Sequence, residues 1–326
     1  RDLHPRVRRQ RQMCIRDRYQ DKRNDIINVK DKVIEFETGN VLIGSVSRLY
    51  MSNKCLLIAD HKSVDKQIHI FNKNDFSYLT SIGNFGEGPE EITVMGCLAI
   101  DEAHHQLYVS DHAKQKIFSY DMDSVMVDSL YKPQVKTAMN ETLFPSEYQY
   151  INDTLSIAVL IKPTSTSTFN QFLGRWNMNT GEMIPMKYTH PDIQKKRITF
   201  AASEKAGIYV ECYTRHDLMT ICSLDGELLY NIYGPDWDGG NGNKLQSFGT
   251  VMIGNDKIFV SYCGEDYARD SFPTKILVFD LEGNYLKTLE TGYKISDCCY
   301  DSFNNRIILS LNDVVQFAYL DIDGII

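Results

Sequence analysis

The chain repeats itself, and this periodicity limits its fold more than any other feature. A short run rich in β-branched and aromatic residues recurs as LLIAD at 56–60, LYVSD at 107–111, LSIAV at 155–159, IYVEC at 208–212, IFVSY at 258–262 and IILSL at 307–311. Anchored on Ile58, Val109, Ile157, Val210, Val260 and Leu309, the copies lie 51, 48, 53, 50 and 49 residues apart. Such even spacing marks an array of equivalent supersecondary units, and a unit of about fifty residues suits one four-stranded blade of a β-propeller.

Turn chemistry divides each unit into strands. A second β-rich run follows each core run and ends in a tight turn, as at 68–71 before Asn74-Asp75, 173–176 before Thr180-Gly181 and 276–279 before Glu282-Gly283. Asp225-Gly226 and Asp323-Gly324 mark the same place, and such pairs supply the positive φ of tight hairpins. Short connections at 52–54, 102–105, 152–153, 255–256 and 304–305 precede the core runs and join a first strand to a second. No long stretch has helical periodicity, which excludes a parallel sheet of alternating strands and helices. The reading is all-β: a six-bladed β-propeller of four-stranded antiparallel blades over residues 31–326, with strands a to d in each blade. The ring must close, because an open sheet edge invites pairing with other chains. Only two residues follow Asp323-Gly324, so the sixth outer strand is expected from the other end of the chain, with 32–37 (KVIEFE) paired to 314–320.

Charge narrows the partners. Of the 326 residues, 43% are hydrophobic, enough for a full core, and the formal charge is -8. Residues 1–20 hold Arg1, Arg6, Arg8, Arg9, Arg11, Arg16 and Arg18 against Asp2 and Asp17, a local +5, so the remaining chain carries -13. That balance excludes a general nucleic-acid binder, which needs a basic stripe to displace phosphate counterions. The opening stretch lacks apolar periodicity, and residues 13–18 (MCIRDR) resemble translated sequencing-adapter sequence. Residues 1–20 are therefore expected to be a non-native or disordered basic leader outside the fold. No run approaches the ~18 apolar residues of a membrane helix. Cys55, Cys97, Cys212, Cys222, Cys263, Cys298 and Cys299 lie in or beside strand-like runs without metal spacing and are read as small buried hydrophobes.

One motif is more specific. SIGNFGEGPEEI at 81–92, with Gly86, Gly88, Pro89 and Glu91 at its centre, precedes an apolar strand, then LYVSD, then IFSYD. This combination resembles the six-bladed β-propellers of exported lipoproteins in Bacteroidetes and, more loosely, the NHL and TolB-like propellers. The resemblance implies a location in the cell envelope and attachment to a membrane only through a lipid anchor. Cys14 follows arginine-rich sequence rather than the hydrophobic signal such an anchor requires. Nucleotide binding at Gly83, Gly86 and Gly88 fails, because no Lys-Ser or Lys-Thr follows and no helix begins there.

Loop length locates the expected site. The a–b and c–d connections are short, whereas the b–c and d–a connections are long and varied: 59–66, 83–93, 110–115, 162–170, 211–217, 233–244 and 263–274. The expected ligand-binding face is drawn from Asp60, His61, Asp111, His112, Glu211, Tyr213, Arg215, His216, Trp237, Glu265, Asp266, Tyr267 and Arg269. Trp237 either stacks on a sugar or covers the neighbouring blade. Asp60-His61 and Asp111-His112 recur with the repeat, so each Asp is expected to accept from the backbone of its own b–c turn. The functional expectation is a monomeric, non-enzymatic envelope propeller without a cofactor that binds a glycan, peptide or protein. The alternative is a hydrolase or lyase resembling sugar-lactonase propellers, with Asp60, Asp111 and Glu211 holding calcium or another divalent cation.

Overall fold

The computed structural model describes residues 16–128, 130–242 and 244–326. The chain divides into two compact units. The larger comprises Ile34–Met186 and Asp297–Ile322, and the smaller the chain up to Val33, Lys187–Ser296 and Asp323–Ile326. Strands are numbered in chain order and blades follow the six repeats.

The larger unit holds four sheets. Blade 1 is β4 (Ser47–Met51), β5 (Cys55–Asp60), β6 (Lys66–Asn72) and β7 (Tyr78–Asn84); blade 2 is β8 (Met95–Asp101), β9 (Gln106–Asp111), β10 (Lys116–Asp121) and β11 (Gln134–Ala138). Blade 3 is β12 (Phe144–Asn152), β13 (Leu155–Pro163), β14 (Phe169–Trp176) and β15 (Met183–Pro185). Blade 6 combines β24 (Ile295–Asp301), β25 (Arg306–Leu311) and β26 (Phe317–Asp321) with β3 (Val33–Glu35) beside β26. The expected closure therefore forms, and the Phe36 amide donates to the Phe317 carbonyl at 3.1 Å. Phe36 stacks on Phe76 with ring centroids 3.9 Å apart.

The smaller unit holds blade 4, β16 (Ile198–Ser203), β17 (Ile208–Tyr213), β18 (Leu218–Ser223) and β19 (Leu228–Tyr233), and blade 5, β20 (Leu245–Gly254), β21 (Lys257–Asp266), β22 (Lys275–Asp280) and β23 (Tyr285–Glu290). Each gains a fifth, parallel strand. β1 (Asp17–Tyr19) pairs with β19, and β2 (Ile26–Asn28) pairs with β23. Asp17–Tyr19 thus corrects the expectation that 1–20 stands outside the fold; residues 1–15 lie outside the described residues. The physical reason is the open outer edge of each blade, which accepts any adjacent extended segment. Tyr19 stacks on Tyr233 at 4.5 Å and Arg18 lies over the Tyr230 ring, which fixes the added strand in register.

The repeat was readable because strand b of each blade has apolar neighbours on both of its faces. In the larger unit every residue of β5 and β25 is buried, and in the smaller unit every residue of β17 is buried. Leu57, Ile68 and Ile70 of blade 1 interdigitate with Leu98, Val109 and Phe118 of blade 2, and Val210 and Ile221 of blade 4 pack with Val260 and Leu277 of blade 5. The c–d turns take their expected backbone, with positive φ at Gly226, Gly283 and Gly324. Cys55, Cys97, Cys212, Cys222, Cys263, Cys298 and Cys299 are all buried, as expected for small core residues. One connection departs from the pattern. Blade 2 joins β10 to β11 through a long c–d segment that opens with a one-turn helix, α1 (Met122–Val125), capped by the Asp121 carboxylate accepting from the Ser124 amide at 2.8 Å.

Candidate binding site

The recurring aspartates brace the blades. Asp60 Oδ2 accepts from the Gly44 amide at 2.7 Å and its Oδ1 from the Lys62 amide at 2.9 Å. Asp111 accepts from Thr93 at 2.8 Å and Val94 at 3.2 Å, and from Ala113 at 3.0 Å and Lys114 at 3.2 Å in its own b–c turn. Each carboxylate therefore ties the segment entering its blade to the b–c turn, a use of short acidic side chains that needs no ion. Glu211 is engaged differently: Lys196 Nζ donates to its Oε1 at 2.7 Å, with both side chains buried. The candidate cation ligands Asp60, Asp111 and Glu211 are thus each held by protein donors. Among the described residues, three potential ligand atoms within 4.8 Å of one another belong instead to Asp101, His104 and Asp153. There His104 Nδ1 lies 2.8 Å from Asp101 Oδ2 while the His104 side chain stays 60% exposed.

The histidines that follow Asp60 and Asp111 have a different setting. In the larger unit, Arg48 on β4 reaches Glu147 on β12 with Nη1–Oε1 at 2.9 Å and Nη2–Oε2 at 3.4 Å. The two side chains remain 37% and 44% exposed, so this bidentate pair is open to a ligand. His61 and His112 lie close enough to Glu147 to feel its charge. Burial pushes both imidazoles below the ordinary histidine range, and the Arg48 charge lowers His61 further, so both are neutral at pH 7. Their Nε2 atoms are buried without a hydrogen-bond partner. Between the two strands of the ion pair runs β8, where a Cβ on Gly96 would lie 2.4 Å from His112 Nε2, so glycine at this position makes room for the ring. Sequence reading found His61 and His112 but missed Arg48 and Glu147, which carry no signature of their own; Gly96 in a strand was the one local sign of a close approach.

The smaller unit gathers the other candidates. Tyr213, His190, His216, Tyr233 and Trp237 form an aromatic cluster with centroid separations from 5.0 to 6.5 Å. Trp237 is half-buried, with its ring 5.0 Å from Tyr233, 5.7 Å from His190 and 5.9 Å from His216. His190 Nε2 lies 2.9 Å from the Tyr233 hydroxyl, and burial lowers the pKa of both His190 and His216. Arg215 places its guanidinium over the Tyr267 ring, Arg269 pairs with Glu265 at 3.0 Å, and Asp266 caps the short helical turn that follows by accepting from the Ala268 amide at 2.9 Å. Beneath them Arg23 makes a 2.8 Å ion pair with Asp217, with side chains 7% and 0% exposed. Arg23, His190 and Lys196 were not foreseen, because they reach blade 4 from segments outside its strands.

Burial pushes the Cys97 and Cys222 thiols up to about 12 and raises Cys55 and Cys263, so these sulfurs stay protonated at neutral pH. The glycine-proline motif is also structural. Glu91 Oε2 accepts from the Gly88 amide at 2.8 Å, a Cβ on Gly86 would collide with that carboxylate, and Lys114 Nζ donates to the Gly88 carbonyl at 2.6 Å.

Comparison with known proteins agrees with this architecture. A Bacteroides fragilis protein described as a putative exported protein superimposes with a TM-score of 0.58 at 13% identity, covering 90% of this chain and 87% of its own. A Bacteroides vulgatus member of the DUF4221 family gives 0.60 at 10% identity, covering 92% and 98%. The Swd1 β-propeller domain of Myceliophteria thermophila gives 0.55 at 10% identity, covering 88% and 98%. At these identities the likeness concerns the fold. No curated protein matches the chain. A family model described as 6-bladed beta-propeller (DUF5128) matches residues 9–171, half of the sequence, and the chain belongs to that all-β, six-bladed propeller family.

Proposed function

We propose that this protein is a non-enzymatic propeller of the cell envelope that binds a peptide, protein or glycan through the b–c ends of its blades. The observation that carries the reading is the Arg48–Glu147 pair: a bidentate guanidinium and a carboxylate, both partly exposed, beside two neutral imidazoles. The pair offers a ligand a donor fork and an acceptor at once, as the polar groups of a peptide or a zwitterion require. The carboxylates that a metal-dependent hydrolase would use are already bonded within the protein, and the buried thiols are not nucleophilic, which favours binding over catalysis. The likeness to a Bacteroides protein named for export supports a place outside the cytoplasm.

The test is a peptide and glycan array probed with wild type, Arg48→Ala and Glu147→Gln. A ligand lost by at least about tenfold in both variants supports the reading, the scale expected for a charge-assisted contact; undiminished binding in both sinks it. Thermal unfolding with calcium and with EDTA separates the hydrolase alternative. A cation bound at a hundred times its dissociation constant adds about 2.7 kcal/mol, and the expected result is no such gain.

A further inference from the structure

The irregular c–d segment of blade 2 builds a cavity at the end of the blades opposite the Arg48 site, among the a–b hairpins of blades 1 and 2. Its volume is about 150 Å³, room for a single side chain. Leu57, Ile100, Leu107, Met122 and Met126 are among the apolar side chains lining it. Its charged lining is Asp101, Glu102 and Asp123 against Lys54, with His105: Glu102 Oε1 accepts from the Asn53 amide at 2.7 Å, and Asp123 pairs with His105 at 2.8 Å while its side chain stays 70% exposed. Beyond the mouth the same segment leaves Met126, Val127 and Leu130 at 37%, 87% and 82% exposure. Among the described residues, the c–d connections of blades 1, 3, 4 and 5 contain no helical turn.

We infer that this cavity is a second binding site, and that its occupant is a lysine side chain presented by an apolar peptide segment of a partner protein. Charge complementarity decides the occupant. A lysine has a four-carbon stem to lie along the apolar walls and an ammonium to reach the Glu102 and Asp123 carboxylates at the rim. The flanking Met126, Val127 and Leu130 give apolar neighbours of that lysine a surface to cover. With three carboxylates against one lysine in the lining, glutamate would meet net like charge, and an uncharged aliphatic side chain would add no charge contact to those that Glu102 and Asp123 already make.

The proposal is tested on the full chain by isothermal titration or NMR shift mapping with three blocked tripeptides: Leu-Lys-Leu, Leu-norleucine-Leu and Leu-Glu-Leu. Leu-Lys-Leu should bind and perturb the Met122 and Met126 methyls, Leu-norleucine-Leu should bind about fivefold more weakly, the scale of a rim charge contact, and Leu-Glu-Leu should not bind. Glu102→Gln with Asp123→Asn keeps the hydrogen-bond acceptors and should erase the preference for lysine, whereas Met126→Trp should fill the cavity and abolish binding. Equal binding of the lysine and norleucine peptides to wild type, no binding of Leu-Lys-Leu, or full binding to a folded Met126→Trp variant would each overturn it. The Arg48 reading survives or fails separately, because none of these substitutions touches that site.

Discussion

Lys73, Asp301 and Arg306 show how far a few side chains hold the larger unit together. Lys73 Nζ lies 3.1 Å and Arg306 Nε 3.3 Å from opposite oxygens of Asp301, all three being at most 8% exposed. Burial pushes the Asp301 pKa up, yet the hydrogen bonds from Asn304 and Lys73 outweigh it and hold the carboxyl below its ordinary range. Asp301→Asn would leave two buried cations without their counter-charge and should cost about 3–5 kcal/mol, read as a lower urea midpoint. The histidines act at higher pH. His61, His69, His112, His190 and His216 all have pKa values lowered from 6.5, chiefly by burial. Between that unfolded value and the lower folded ones, the unfolded chain binds more protons, so stability falls as pH falls. The thermal midpoint should therefore drop between about pH 7 and pH 5; a flat profile would contradict these buried neutral rings. The Asp301 contribution, of opposite chemistry, is present above the ordinary carboxylate pKa and is lost only as pH falls through its lowered folded value.

Elements differ in how they are secured. Closure of blade 6 rests on a strand of only three residues, β3, and on the Phe36 ring stacked between Phe76 and Phe317. Phe36→Ala should cost about 3 kcal/mol and Phe36→Leu distinctly less, measured by equilibrium unfolding, because the first opens a cavity at the seam. The segment between β1 and β2 is secured by Arg23, which enters the core of the smaller unit with its guanidinium 5.4 Å from the Tyr262 centroid and 5.7 Å from those of Phe248 and Phe279. Burial raises the Asp217 pKa although Arg23 opposes it, so Arg23→Met should drive Asp217 to its neutral form and destabilise the chain by about 3 kcal/mol. Asp217→Asn in the Arg23→Met background should then cost little more, a non-additivity that a double-mutant cycle would register. The six b strands and the closing strand were legible because alternation and Asp-Gly turns are local signals. β1, β2 and α1 were not: three or four residues carry no period, and what holds them is an open sheet edge, a stacked tyrosine or a single aspartate cap.

At the scale of the whole molecule, charge and family set the limits. Residues beyond 20 carry -13, and the chain from Arg16 onward should not be retained on double-stranded DNA at about 0.15 M salt, where weak phosphate contacts are already screened; salt-sensitive retention would expose a basic surface that composition denies. By itself the sequence determined the repeat, the number of blades, the order of strands within each and the closure by 32–37, because a propeller blade is specified by short-range alternation and turn residues. Tertiary structure alone decided what the polar residues do. Asp60 and Asp111 accept from their own b–c turns as their recurrence implies, but only the fold adds the amides of Gly44, Thr93 and Val94 from the segments entering their blades. Arg48 and Glu147, 99 positions apart, become one site only when β4 and β12 are brought to either side of β8. The cavity of blade 2 exists because a connection that breaks the repeat folds back over two hairpins. Repetition is written locally, whereas a site is made where distant side chains converge, and the sequence encodes that convergence only through the completed fold.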